Sequence, residues 1–123
     1  MSKQFNKLTG NSGEKIAEEY LKEHGYLILA RNFRTELGEI DLIATKDEYL
    51  VFIEVKSKRG DGFGFPSEAV TVSKQRKIAM VASQYVKKNM YFGAAMRFDV
   101  IEVYFSDRTV NHIENAFDSY LKY

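Results

Sequence analysis

Two adjacent apolar segments, separated by a short polar turn, constrain this chain more than any other feature of the sequence. Residues 39–45 and 49–57 are rich in β-branched and aromatic side chains, and Asp47-Glu48 lies between them. Both segments are apolar almost throughout, which is typical of strands that are covered on both faces of a sheet. The sequence therefore predicts a central β-hairpin buried between other layers.

The patterns around this hairpin indicate a mixed α/β fold. Asn11 and Ser12 are expected to cap a first helix that ends at Gly25. A longer helix is predicted over 73–88 from its apolar stripe. Three further extended segments and a short C-terminal helix are predicted at 26–34, 97–105, 109–113 and 116–121. We expect one domain over 1–123, with the order α-β-β-β-α-β, a hairpin extension and a mixed central sheet flanked by helices.

The composition narrows the classes of function. The chain of 123 residues has no cysteine, which excludes disulfides and thiolate zinc sites and suits the cytoplasm. No stretch approaches the roughly 18 apolar residues of a membrane span, and the polar N-terminus is unlike a signal peptide. We therefore expect a cytoplasmic protein without a membrane partner. The formal net charge of +1 neither requires nor excludes nucleic acid.

An acidic pair is expected to meet across the hairpin. A two-residue loop between the strands sets Asp41 opposite Glu54, and Glu39 opposite Lys56. The second pairing has an ordinary explanation as an ion pair worth about 0.2–1 kcal/mol. Two carboxylates about 5 Å apart instead repel by about 3 kcal/mol at an effective dielectric of about 20. A divalent cation would remove that cost, and oxygen ligands favour Mg²⁺ or Mn²⁺.

Lys56 adds a positive charge to the acidic pair. It follows Glu54 by two residues and shares its face of the strand. A lysine beside a metal can orient or deprotonate a water, or stabilise charge on a phosphate, while the metal lowers the pKa of its bound water. Phosphodiester hydrolysis needs a metal ion, a water and a positive charge together near the bond that is cut. A polar hairpin with a fortuitous acidic pair is the alternative interpretation.

The same residues carry a family resemblance. Asp41 and Glu54-Val55-Lys56 resemble the PD-(D/E)XK nuclease signature, with Ile40 where the named motif has proline. The sequences GEIDLIA at 38–44 and VFIEVKS at 51–57 resemble the YraN family of bacterial proteins. Further matching residues extend the resemblance across nearly the whole chain: Gly13-Glu14, Tyr20-Leu21, Gly25-Tyr26, Asn32-Phe33-Arg34 and 97–101.

The family is similar in its core to archaeal Holliday-junction resolvases, which implies a restriction-endonuclease-like fold. The resemblance implies a Mg²⁺- or Mn²⁺-dependent endonuclease acting on DNA, including branched or otherwise structured DNA. Asp41 and Glu54 would bind the metal, helped by the carbonyl that follows Glu54, and Lys56 would orient water or stabilise charge. A nucleic-acid-binding module that keeps this fold without cutting is the alternative function.

Glu14 is the expected auxiliary acid, because resolvase-like relatives use an acidic residue of this helix. A capping box with Asn11 explains Glu14 equally well. Glu18, one helical turn later, would take the role if the register differs.

Two basic groups are candidates for contact with nucleic acid. Lys74, Arg76 and Lys77 begin the long helix, where the macrodipole disfavours cations, so phosphate contact would explain them. A solvated basic face is the alternative. Lys58 and Arg59 lie in a glycine-rich segment with two phenylalanines, which suits nucleic-acid contacts or else packing and dimer contacts. The small size of the chain leaves a homodimer open.

Three other titratable side chains are assigned no catalytic role. Asp99 alternates with Arg97 on its predicted strand and is expected to be the structural partner of a nearby base. His24 and His112 show no metal-ligand spacing and are expected at the surface.

Overall fold

In the part of the chain that the structure describes, five strands form one sheet between two helices. The computed structural model describes residues 2–58 and 70–118, with side chains from residue 12 onward. The elements in chain order are α1 (Ser2–Glu23), β1 (Leu27–Thr35), β2 (Gly38–Lys46), β3 (Tyr49–Lys58), α2 (Val72–Asn89), β4 (Ala95–Tyr104) and β5 (Thr109–Phe117). Neither described helix is long and apolar enough to cross a membrane.

The strands lie in the sheet in the order β1-β2-β3-β4-β5. Three neighbouring pairs are antiparallel, whereas β3 and β4 are parallel and are connected through α2. A parallel pair needs a crossover of this kind, since its strands start at the same end of the sheet. The predicted α-β-β-β-α-β order, the mixed sheet and the hairpin extension are confirmed, and the chain is a single-domain α/β protein.

Each face of the sheet buries its own apolar core. The α2-side core packs Ile43, Phe52 and Phe98 against α2 residues such as Val81 and Tyr85. The α1-side core includes Leu42, Val51, Ile53 and Ile101, packed against Ala17 and Leu21 of α1. Burial on both faces explains why the strands of the central hairpin are apolar almost throughout.

Two predictions about helices are wrong, one about where a helix begins and one about whether a helix forms. The first helix begins at Ser2, so Asn11 and Ser12 lie inside α1 and do not cap it. Local capping preference is weak against a helix that continues on its N-terminal side. The C-terminal helix expected from residue 116 is replaced there by β5, because Phe117 is buried and stacks on Phe98 with ring centroids 5.1 Å apart. Residues 119–121 of that prediction lie outside the described part.

Candidate metal and catalytic site

The register of the central hairpin is the one that the short loop predicts. Residues paired between β2 and β3 run from Lys46–Tyr49 to Leu42–Ile53. Asp47 takes a left-handed backbone conformation, with φ of 53°, that aspartate tolerates in turns. Asp41 and Glu54 are the next residues beyond the last pair, so the candidate site lies where the ladder ends.

Strand β2 departs from regular geometry at Asp41. Ile40 packs in the α2-side core and Leu42 in the α1-side core, although residues two apart on a regular strand share a face. The Val55 N–H donates to Asp41 Oδ2 at 2.8 Å. The side-chain carboxylate thus accepts a hydrogen bond from a strand N–H, whereas a backbone carbonyl accepts such bonds in a regular sheet. This break fixes the Asp41 side chain against the backbone of β3, directly after Glu54.

Glu14 and Glu39 approach Asp41 from α1 and from β2 itself. Asn32 of β1 lies between the residues paired with Ile40 and with Leu42, and its φ is 51°. With its amide nitrogen turned toward the acids, Asn32 donates to Glu14 Oε1 and to Glu39 Oε1, both at 3.2 Å. Helix α1 and strand β2 thus bring carboxyl groups to one point of the sheet, where an amide from β1 joins them.

The electrostatics of this cluster oppose ionisation of Asp41. Burial raises the pKa of the Asp41 carboxyl to about 7, aided by the charges of Glu14, Glu54 and Glu39, although the bond from Val55 favours the charged form. Burial, followed by the charge of Glu39, also raises the pKa of Glu14. A cation bound here would relieve both groups.

Glu54 points to the α2 side of the sheet, where Lys74 forms an ion pair with its Oε1. The Glu54 side chain is 16% exposed and that of Lys74 is 51% exposed. The other oxygen, Oε2, is buried and accepts no hydrogen bond from the described residues. Glu54 therefore keeps one buried acceptor without a donor, which a cation or an ordered water would satisfy.

Helix α1 approaches β3 closely at Gly13, the residue before Glu14. A Cβ at Gly13 would lie 2.0 Å from Ser57 Oγ and 3.3 Å from Ser57 Cβ. A larger residue at position 13 would require the Ser57 side chain or the helix to move, so glycine permits this close approach. The contact sets Glu14 beside the end of the hairpin, and since α1 begins at Ser2, a capping box no longer accounts for that residue.

Glu18 is committed to other partners. Its carboxylate accepts from Arg31 Nε at 2.5 Å and pairs with Lys22 at 2.8 Å. The hydrogen bond from Arg31 lowers the pKa of Glu18 to about 2. Of the two acids expected from α1, Glu14 is therefore the one that joins the cluster.

The donor set of the cluster fits a hard divalent cation. The carboxylates of Asp41, Glu54 and Glu14 would supply oxygen ligands, and the buried Oε2 of Glu54 has no donor among the described residues. Within 12–58 and 70–118, no three His, Asp or Glu side chains are already arranged around one metal position. Glu54 is instead paired with Lys74, so binding a cation there would require Glu54 to exchange one positive partner for another.

The predicted basic residues divide into separate locations. Lys74 contacts Glu54, whereas Arg76 and Lys77 are exposed on the first turns of α2. Lys58 is the last residue of β3 and is half-buried, and Arg59 lies outside the described residues. The cations that begin α2 thus lie on the side of the sheet to which Glu54 points.

Asp99 anchors a buried polar network, as its pairing with a base predicted. Arg97 donates to both of its oxygens, at 3.0 and 2.8 Å, and His112 Nε2 lies 2.7 Å from Oδ2. Since a carboxylate only accepts, Nε2 carries the proton, and His112 Nδ1 lies within hydrogen-bond distance of the Tyr20 hydroxyl, at 3.2 Å. The surface position predicted for His112 is wrong, with its side chain 5% exposed, whereas His24 is exposed.

The fold and the acidic cluster define a single-domain α/β protein with candidate metal ligands at the end of its central hairpin. The model of the family described as Uncharacterised protein family UPF0102 matches residues 13–103. This chain belongs to that family, which confirms the resemblance to YraN proteins.

Named relatives share most of their length with this chain. A UPF0102 protein of Clostridium botulinum (strain Loch Maree / Type A3) is 50% identical over 117 residues, covering 91% of this chain and 95% of the relative. A UPF0102 protein of Clostridioides difficile (strain 630) is 47% identical over 112 residues, covering 91% and 98%. One from Caldanaerobacter subterraneus subsp. tengcongensis is 46% identical over 122 residues, covering 95% and 100%.

Sequence reasoning missed three contributors to the cluster. It assigned no role to Asn32 or Gly13, although both belong to the matching family segments. Glu39 was paired with Lys56, whereas it forms an ion pair with Arg34 of β1 at 2.7 Å. The asparagine at position 32 was a usable signal, because Asn is a residue that tolerates positive φ within a strand. The close approach of Gly13 to Ser57 could not be predicted, because it depends on how α1 packs against β3.

Proposed function

We propose that this protein is a Mg²⁺- or Mn²⁺-dependent endonuclease that hydrolyses phosphodiester bonds in DNA. The observation that carries the proposal is the Asp41 carboxyl, whose pKa of about 7 reflects its burial among Glu14, Glu54 and Glu39. A fold that concentrates carboxyl groups where its hairpin ends, with Lys56 on the same strand, has the elements of a hydrolytic metal site. The restriction-endonuclease-like class and a cytoplasmic location belong to the same proposal.

Each residue of the site has a role in this hydrolysis. Asp41 and Glu54 would hold the ion, with the carbonyl after Glu54, and Glu14 serves as an auxiliary acid oriented by Asn32. The bound ion supplies Lewis acidity and a water of lowered pKa. Lys56 orients the attacking water or stabilises charge on the phosphate.

Lys74 links the metal site to the substrate. Its ammonium pairs with Glu54. If Glu54 binds a metal ion instead, the Lys74 ammonium is left without this partner and lies beside the site. Arg76 and Lys77 are exposed on the same helix. Phosphate contacts by these three residues would hold the DNA backbone without reading its sequence.

The test is cleavage of a substrate panel by the full chain. Linear duplex, single-stranded and branched DNA, together with RNA, are incubated with Mg²⁺, Mn²⁺ or EDTA. We expect metal-dependent cutting that Asp41→Asn and Glu54→Gln each abolish. Asp47→Asn in the exposed turn is the matched control and keeps full activity, because Asn also tolerates positive φ. Cleavage that survives both site substitutions would overturn the proposal.

A nucleic-acid-binding module that does not cut is the second candidate. The observation that favours it is the ion pair between Lys74 and Glu54. While this pair is formed, Glu54 is occupied by a lysine and is not available to a metal ion. Binding that weakens steeply with salt, without cleavage of any substrate on the panel, would support this function over hydrolysis.

A further inference from the structure

Helix α2 carries an unbalanced positive charge. Its 18 residues include five cations and no acid. Four of these cations take no part in the ion pair with Glu54, and they lie exposed in two adjacent pairs, Arg76-Lys77 and Lys87-Lys88. Among the residues that the structure describes, none of the four forms an ion pair. The helix therefore offers four positive charges to an anionic partner.

The two pairs lie on one side of the helix. Each residue of the second pair follows its counterpart in the first by eleven residues, which is close to three helical turns. At a rise of about 1.5 Å per residue, the pairs are about 16 Å apart along the helix axis. The opposite side of α2 is the buried one, with Val81 and Tyr85 in the α2-side core. Both pairs therefore project to solvent from the outer face of α2.

Helix stability accounts for only one of the pairs. Cations in the last turn complement the macrodipole, which suits Lys87-Lys88, and the Lys88 ammonium also lies 5.9 Å from the centre of the Phe33 ring. Cations in the first turns oppose the macrodipole, so Arg76 and Lys77 lie where the helix disfavours them. Because α2 crosses over from the end of β3 to the start of β4, this first pair lies at the same end of the sheet as the candidate site.

The surface between the two pairs favours a double-stranded partner. Proteins that bind single strands rely on aromatic side chains that stack on the bases. The aromatic residue of α2, Tyr85, is 6% exposed, and the outer face between the pairs carries Met80 and Gln84. Gln84 donates to Glu36 Oε1 at 3.2 Å, which places an acid beside the middle of this face. Attraction for phosphate is therefore concentrated at the two ends of the face.

We propose that the outer face of α2 binds duplex DNA across a major groove, with one basic pair on each of the two backbones. A separation of about 16 Å suits backbones on either side of a groove about 12 Å wide, and it is too long for the minor groove of about 6 Å. The contacts are to phosphates and do not depend on base sequence. In one respect the inference rests on the proposed endonuclease function, because the pair beside the site would hold the strand that is cut.

Fluorescence anisotropy of labelled oligonucleotides with the full chain tests this surface, in EDTA so that metal-dependent cutting cannot occur. Lys87→Gln with Lys88→Gln should weaken duplex binding about tenfold and lower the slope of log K against log salt concentration by about 2, because each phosphate contact contributes about 0.9. The matched control, Lys15→Gln with Lys22→Gln, removes two exposed cations from α1 on the other side of the sheet and should change the slope by less than about 0.5. Glu36→Gln removes the acid beside the outer face and should tighten binding about twofold.

Equal losses in the two double variants would overturn the inference, as would single-stranded DNA bound as tightly as duplex, or no duplex binding at low salt. All four substituted lysines are exposed, and circular dichroism verifies that each variant is folded. If duplex binds through α2 but no substrate is cut with Mg²⁺ or Mn²⁺, the endonuclease proposal fails and the binding surface stands. If DNA is cut but Lys87→Gln with Lys88→Gln binds duplex as the wild type does, the binding surface alone fails.

Discussion

At the scale of the residue, the ionisation of Asp41 couples folding to pH. Its pKa is raised from 3.8 to about 7, so between these values the folded protein keeps a proton that the unfolded chain has released. Stability is therefore highest below about pH 4 for this group and falls as pH rises toward about 7, by on the order of 4 kcal/mol. We expect urea unfolding to show this loss in the wild type relative to Asp41→Asn, which does not titrate. Identical pH profiles would contradict the raised pKa.

Lys74 makes a second prediction at the residue scale, because its ammonium competes with a cation for Glu54. We expect Lys74→Ala to bind Mn²⁺ about fivefold more tightly, the equivalent of about 1 kcal/mol for a partly exposed ion pair. Calorimetric titration measures the affinity. Lys77→Ala removes a similar charge from the same helix at an exposed position and is the control. An equal change in both variants would mean that Lys74 acts only through general charge.

At the scale of the element, the position of α1 depends on Gly13. An alanine Cβ there would overlap Ser57 Oγ, so the helix must shift or the serine must move. We expect Gly13→Ala to lower the free energy of unfolding by about 1–3 kcal/mol, as overpacking does, and to displace Glu14 from the cluster. Chemical denaturation measures the loss.

A second substitution shows whether this contact is responsible. Ser57→Ala removes the contacted oxygen and should restore part of the stability of Gly13→Ala, while costing little in the otherwise unchanged chain. A double variant no more stable than Gly13→Ala alone would mean that another contact limits the approach of the helix.

The helices and strands were largely predictable, because the sequence patterns that determine them lie within short segments of the chain. The short loop at Asp47-Glu48 fixes the hairpin register, so the positions of Asp41 and Glu54 followed from counting. The break in β2 was not predictable. Ile40 and Leu42 belong to one apolar segment of the sequence, yet Ile40 packs in the α2-side core and Leu42 packs in the α1-side core. Periodicity shows that a strand is buried but not where it changes faces.

At the scale of the whole molecule, the contacts that complete the site join segments distant in sequence. The Lys74–Glu54 pair forms because α2 crosses over from β3 to β4, and the close approach of Gly13 to Ser57 forms because α1 packs against β3. No local pattern encodes either one. A single sequence therefore identifies which residues are chemically unusual, while the topology decides which of them meet.

The network around Asp99 also joins segments that are distant in sequence, and it supports a prediction about the entire fold. Asp99 is 1% exposed and connects β4 to β5 through His112 and the backbone N–H of Asn115. Through Arg97 and His112 it also reaches the Tyr26 hydroxyl before β1 and the Tyr20 hydroxyl of α1. Burial acts to raise the pKa of Asp99, but the hydrogen bonds to His112, Arg97 and Asn115 outweigh it and hold the pKa below its usual value.

Replacing this carboxylate should destabilise several elements at once. Asp99→Asn leaves the Arg97 guanidinium largely buried without its counter-charge, and we expect a loss of about 3–5 kcal/mol in the free energy of unfolding. Glu114→Gln, an exposed acid on β5, is the control and should change stability by less than about 0.5 kcal/mol. Because the network spans α1, β4 and β5, amide exchange should accelerate in all three elements together. A loss confined to the β4–β5 hairpin would mean that Asp99 stabilises only its own strand pair, and that α1 is held by its apolar face alone.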